Sequence, residues 1–142
     1  MKTKILRIFL IFWTLFIGIG AVAGSLMMFV SPDGTMWGLE AVLPYLQVLP
    51  WAEIFFTNLI FSGIMLLIIN GVTQLIAAKL LINKNKYGAL AGMICGIILI
   101  MWIVFEWILW GFGGLSNVYF VFGVLETING AWLYLVERQA SR

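Results

Sequence analysis

The sequence predicts an all-α integral membrane protein, a four-helix bundle with both termini on the cytoplasmic side and a short interfacial helix in its first outer loop. Three observations carry that reading. Of the 142 residues 63% are hydrophobic and 10% charged, against roughly a quarter charged in soluble domains; with a mean hydropathy of +1.10, the chain cannot furnish a surface that faces water. Its apolar residues gather into runs at about 8–30, 54–82, 88–112 and 118–136, on the scale of the ~20 helical residues that a hydrocarbon core requires. The basic residues Lys2, Lys4, Arg7, Lys79, Lys84, Lys86, Arg138 and Arg142 all fall on one side of that arrangement, which is the cytoplasmic side under the positive-inside rule.

Each element has its own justification. The first span follows a basic head. Ala21-Val22-Ala23 mimics a signal-peptide cleavage site, but the apolar run continues past it, as a spanning helix does and a short signal core does not. Gly20 and Gly24 stand four apart and form a small-residue face that admits a neighbouring helix. Ser31-Pro32-Asp33-Gly34 opens the outer loop as a turn, with Pro presetting φ and Gly free to take positive φ. From Trp37 to Gln47 the spacing fits either an interfacial helix, with Trp37, Tyr45 and Trp51 anchored at the headgroups, or a plain connection.

The second span, 54–82, exceeds a ~30 Å core and must tilt or protrude. It carries Asn70 near its centre and Gln74 one turn further on. Asn83 to Tyr87 is a short polar turn that folds spans two and three into an antiparallel hairpin. The third span opens with Gly88, Gly92 and Gly96 at intervals of four, a second close-packing ridge. It ends around Glu106 with Trp102, Trp107 and Trp110. In the fourth span Tyr119, Gly123, Glu126, Asn129 and Gly130 recur at helical spacing on one side, which is too polar to face lipid. The result is a single four-span domain over residues 1–142, placed in the plasma or inner membrane.

Glu106 and Glu126 are the most informative residues, because an acid inside a membrane is costly and is by default a functional-site hypothesis. A hairpin turning near Gly114 would set Glu126 about four residues, roughly 6 Å, deeper than Glu106. The two carboxyls are then expected within reach of each other, with Asn70, Asn129 or Tyr119 as hydrogen-bond partners. The candidate ligand-binding set is therefore Glu106, Glu126, Asn70, Asn129, Trp102 and Tyr119. With no histidine and one cysteine, Cys95, the chain lacks the residues for a His- or Cys-based metal site, a Cys–His or Ser–His nucleophile, or an internal disulfide. No cofactor is expected.

The outer-loop Pro32-Asp33-Gly34 followed by Gly38-Leu39, Gly63 with Asn70-Gly71, Trp102-Ile103 with Glu106, and Tyr119-Phe120 with Gly123 and Glu126 together resemble a group of small four-helix bacterial membrane proteins of unassigned function. The resemblance covers roughly residues 31–130. Ser62 departs from it, standing where a proline would precede Gly63. More loosely, the architecture is similar to the DoxX-type four-helix proteins, some linked to quinone or thiol redox chemistry; neither resemblance implies a substrate. Three functions follow as expectations. The leading one is a non-catalytic accessory or assembly protein whose polar residues fix helix partners. The second is a binder or transporter of a lipophilic, cationic or lipid-like molecule. The third is a membrane enzyme acting on an isoprenoid or quinone. The partners expected are the lipid bilayer, a second copy or another membrane protein, and a lipophilic ligand, with no role for nucleic acid.

Overall fold

The computed structural model describes residues 1–142 and contains four helices long and apolar enough to cross a membrane. Helix α1 (Lys2–Val30) is followed by a long connection. This connection holds a 3₁₀ turn (Thr35–Trp37) and two one-turn helices, α2 (Leu43–Leu46) and α3 (Ala52–Phe55). The second span is continuous from Ile60 to Ile82 and is built of α4 (Ile60–Leu66), a π-helical stretch (Leu67–Val72) and α5 (Thr73–Ile82). Helices α6 (Gly88–Trp110) and α7 (Gly114–Ala140) complete the chain.

Inside a hydrocarbon core the backbone must satisfy itself, which restricts a segment of this kind to helix. The hydroxyls of α1 obey the same requirement. Thr14 Oγ1 donates to the Leu10 carbonyl at 3.0 Å and Ser25 Oγ to the Ala21 carbonyl at 2.7 Å.

Helix α1 starts earlier, at Lys2, α6 ends at Trp110 and α7 runs on to Ala140; three further differences from what the hydropathy implies have a local cause. The second span begins at Ile60 rather than 54, because Asn58 Oδ1 accepts the Ile60 amide at 3.0 Å and starts the helix there; Ile54 and Phe55 belong to α3. Beyond Trp37, which closes the 3₁₀ turn, the helical content up to Gln47 shrinks to the single turn of α2, which carries Pro44 in its first turn, where proline is tolerated as it is not in a helix interior. The turn between α6 and α7 is only residues 111–113, with Gly111 at φ 86° and Gly113 at φ 152°. Asn117 Oδ1 closes it by accepting the Gly113 amide and the Trp107 indole, each at 3.1 Å. At the start of the long connection, Asp33 Oδ1 accepts the Thr35 amide at 3.1 Å and the Ser31 and Thr35 hydroxyls at 2.9 Å each. These donors, the Thr35 amide foremost, hold the exposed Asp33 carboxyl below its ordinary pKa.

The spans form a ring in which α1 packs on the second span and on α7, and α6 packs on α7 and on the second span. Span two and α7 stand diagonally opposed. Leu10, Leu81, Ala89 and Leu133 fill the centre near the termini, and Ile17, Leu99 and Ile103 fill it further along. At the termini end Arg7 pairs with Glu137 and joins the start of α1 to the end of α7.

Glycine sets how closely these helices approach. A Cβ on Gly96 would meet the Thr127 amide at 2.7 Å, and one on Gly130 would meet the Met93 amide at 2.7 Å. The three residues of the Gly88–Gly92–Gly96 ridge face three partners: α5 at Leu81, α1 at Leu10 and α7 at Thr127. On α1 the glycine set against α5 is Gly18, where a Cβ would lie 3.0 Å from Gln74 Cβ. Gly20 and Gly24 instead meet the ends of the Tyr119 and Leu66 side chains.

Candidate functional site

The end of α6 positions the first acid. Trp102 precedes Glu106 by one helical turn, so its indole Nε1 reaches Oε1 at 2.8 Å. Ser116 lies in the first turn of α7, where the Asn117-closed loop holds it against α6, and its Oγ donates to Oε2 at 2.6 Å. Both oxygens of Glu106 are thereby oriented by fixed donors, and each keeps a lone pair for a further partner.

These groups open onto a cavity of about 430 Å³ between α1, the second span, α6 and α7, within the ~300–1,000 Å³ range of small-molecule sites. Leu39 and Val42 from the long connection and Trp110 from α6 line its loop end. Aliphatic and thioether groups, among them Ile17, Met27, Met28 and Leu66, supply most of the wall. Tyr119 reaches in from α7, its hydroxyl tucked against Gly20, where a Cβ would lie 2.9 Å away. Further along is Asn70, carried by the π-helical stretch. It is 2% exposed, it lines the cavity, and neither its Nδ2 nor its Oδ1 has a hydrogen-bond partner.

Four of the six residues singled out from sequence, Glu106, Asn70, Trp102 and Tyr119, therefore share one cavity, and Gly20 and Gly24 are part of its wall. Glu126 and Asn129 are not. Glu126 is fully buried, and its Oε2 accepts Gln74 Nε2 at 3.0 Å, a bond that crosses the bundle from α5 to α7. Its Oε1 has no partner, nor does Gln74 Oε1. Cys95 Sγ donates to the neighbouring Thr73 carbonyl at 3.4 Å. Asn129 Nδ2 donates to the Leu6 carbonyl at 3.1 Å, tying α7 to α1.

The expected pairing of the two acids is thus corrected. Glu106 bonds Trp102 and Ser116, Glu126 bonds Gln74, and none of Asn70, Asn129 and Tyr119 is the partner of either. The reason is helix rotation: α7 turns Glu126 across the bundle onto Gln74 of the diagonal span. Ser116 is the one polar member of the cavity wall that sequence reasoning missed. It sits between Leu115 and Asn117 in what reads as a loop, and only its ten-residue offset from Glu106 across a tight turn could have flagged it.

No cluster of three or more His, Cys, Asp or Glu side chains exists that could hold a metal ion. At the termini end a second hollow of about 530 Å³ is lined by Arg7, Lys84, Lys86 and Arg138, so half of the basic residues surround one cleft. Compared with family models, curated proteins and solved structures, the chain matches none.

Proposed function

We propose that this multi-pass membrane protein binds a lipophilic small molecule bearing a cationic or hydrogen-donating group, held in the cavity beside Glu106. The carrying observation is Glu106 itself, an acid whose two oxygens are both fixed by donors and which lines an otherwise largely apolar cavity. A carboxylate held this way has lost little of its capacity to accept, and the faces of Trp102, Trp110 and Tyr119 suit a cation as well. An assembly role would place such an acid against another helix's polar groups. Glu126, bonded to Gln74 across the bundle, fits that description alone; Glu106 bonds Ser116 of α7 but also lines the cavity, which Glu126 does not.

The test is a titration of the protein in lipid nanodiscs with n-octylammonium, followed by tryptophan fluorescence, since Trp102 and Trp110 line the site. Saturable binding is expected, weakened about tenfold or more in Glu106→Gln, a loss of ~1.4 kcal/mol. Equal affinity of the two proteins would overturn the reading.

We further place both termini in the cytoplasm, on the grouping of basic residues. In a Cys95→Ala background, Val48→Cys on the exposed long connection should react with an impermeant maleimide in intact cells, and Asn85→Cys only after permeabilisation. Reaction at residue 85 in intact cells would reverse the orientation. Gly34 is unsuited to this use, because at φ 78° a Cβ there would lie 2.6 Å from the Glu40 amide.

A further inference from the structure

We propose that the same cavity recognises a second polar group at Asn70, so that its ligand is an elongated amphiphile with a cationic or donor group at one end and a neutral carboxamide at the other. This rests on the reading of Glu106 as the first anchor. Asn70 lies ten residues inside the second span, about 15 Å from Ile60, and Glu106 four residues inside the end of α6, about 6 Å from Trp110. With the span ends level, Asn70 is about 9 Å deeper.

A polar side chain in the middle of a span ordinarily bonds a neighbouring helix. Asn70 bonds nothing: both ends of its amide are buried and unpaired on the cavity wall. Buried amides are costly to leave in that condition. Its Nδ2 donates and its Oδ1 accepts, side by side, so one ligand group satisfies both only if it offers an acceptor and a donor in the same array. A carboxamide does so without charge. A carboxylate would offer no donor and would bring an ion to membrane depth, where it is expensive.

The backbone fits this use. Asn70 belongs to a π-helical stretch, and wide turns of this kind occur frequently at functional sites. The rest of the wall includes Leu66, Met27, Met28 and Tyr119 over Gly20, a lining for an apolar chain.

Two probes separate this inference from the reading beneath it: n-octylammonium, and 8-aminooctanamide, which adds a carboxamide at the far end of a chain of the same length. Both are titrated into the nanodisc-embedded wild type and the Asn70→Leu variant. In the wild type the amide should bind about tenfold more tightly than the plain amine; in Asn70→Leu that advantage should vanish while octylammonium affinity holds. No binding of either probe to the wild type removes the Glu106 reading and this inference with it. Binding of octylammonium with no gain from the amide, or a gain that survives in Asn70→Leu, overturns the Asn70 inference alone and leaves a water-filled recess. Thermal unfolding of the ligand-free proteins supplies a second readout. Asn70→Leu should be at least as stable as wild type, because the amide has no partner to lose; a lowered Tm or a failure to fold would show that Asn70 holds helices together, and would equally overturn the inference.

Discussion

Gly130→Leu and Gly96→Leu should each abolish stable folding or lower stability at or beyond the upper end of the roughly 1–3 kcal/mol typical of overpacking. The obstacle is backbone. A Cβ at position 130 would lie 2.7 Å from the Met93 amide and 2.8 Å from Met93 Cα, and one at position 96 would lie 2.7 Å from the Thr127 amide and 3.0 Å from the Gly123 carbonyl oxygen. A side chain can rotate away from an intruding atom; a helix can only move as a body, and moving α7 off α6 would open one of the two most extensive interfaces in the bundle. Gly92→Leu should be milder, since the atoms it meets belong to the Leu10 side chain. Thermal unfolding and size-exclusion behaviour in detergent check the ranking. A Gly92 variant less stable than the Gly130 variant would contradict it.

The bond that crosses the bundle makes the second strong expectation. Gln74→Leu removes the one partner of the Glu126 carboxyl and leaves that group wholly buried and unpaired, which costs roughly 1–3 kcal/mol, and more if it is charged. The double variant Gln74→Leu/Glu126→Leu should recover most of that loss, because replacing both members of a buried polar pair by apolar groups of similar shape is nearly neutral. Glu126→Gln, which keeps the shape and an acceptor for Gln74, should be almost silent. The measurement is a double-mutant cycle of unfolding free energies. Additive losses would show that the two residues act independently. None of these variants alters the cavity wall, so octylammonium binding should persist in each that folds.

The spans were legible because lipid imposes one strong requirement, a predominantly apolar run of sufficient length, and the positions of Lys79, Lys84 and Lys86 mark where a hairpin must leave it. Their ends were less legible because hydropathy does not see a single side-chain hydrogen bond. Asn58 terminates an apolar run that otherwise reads straight through from Ile54, and Asn117 pulls the start of α7 forward to Gly114. For the site, the sequence revealed which residues were too polar for lipid but not what they face. Asn70, Gln74, Glu106, Glu126 and Asn129 all stood out, and the structure sends them to three different places. That assignment depends on the rotation of each helix about its axis, which periodicity within one helix leaves undetermined. It depends also on departures from regular pitch, and nothing in Leu67–Val72 announces a π-helix.

That wide stretch has a mechanical consequence for the span that contains it. In a helix of constant pitch, azimuth advances by a fixed step of about 100° per residue, so the directions faced by Gly63, Asn70 and Gln74 would be locked to one another. The wide turns break that lock by introducing a phase slip between α4 and α5. Above the slip, Gly63 takes the Phe29 and Met28 side chains of α1; below it, Gln74 points across the bundle to Glu126. Asn70 sits at the slip itself. The span thus presents two separately phased faces, and the segment that joins them carries the unpaired amide.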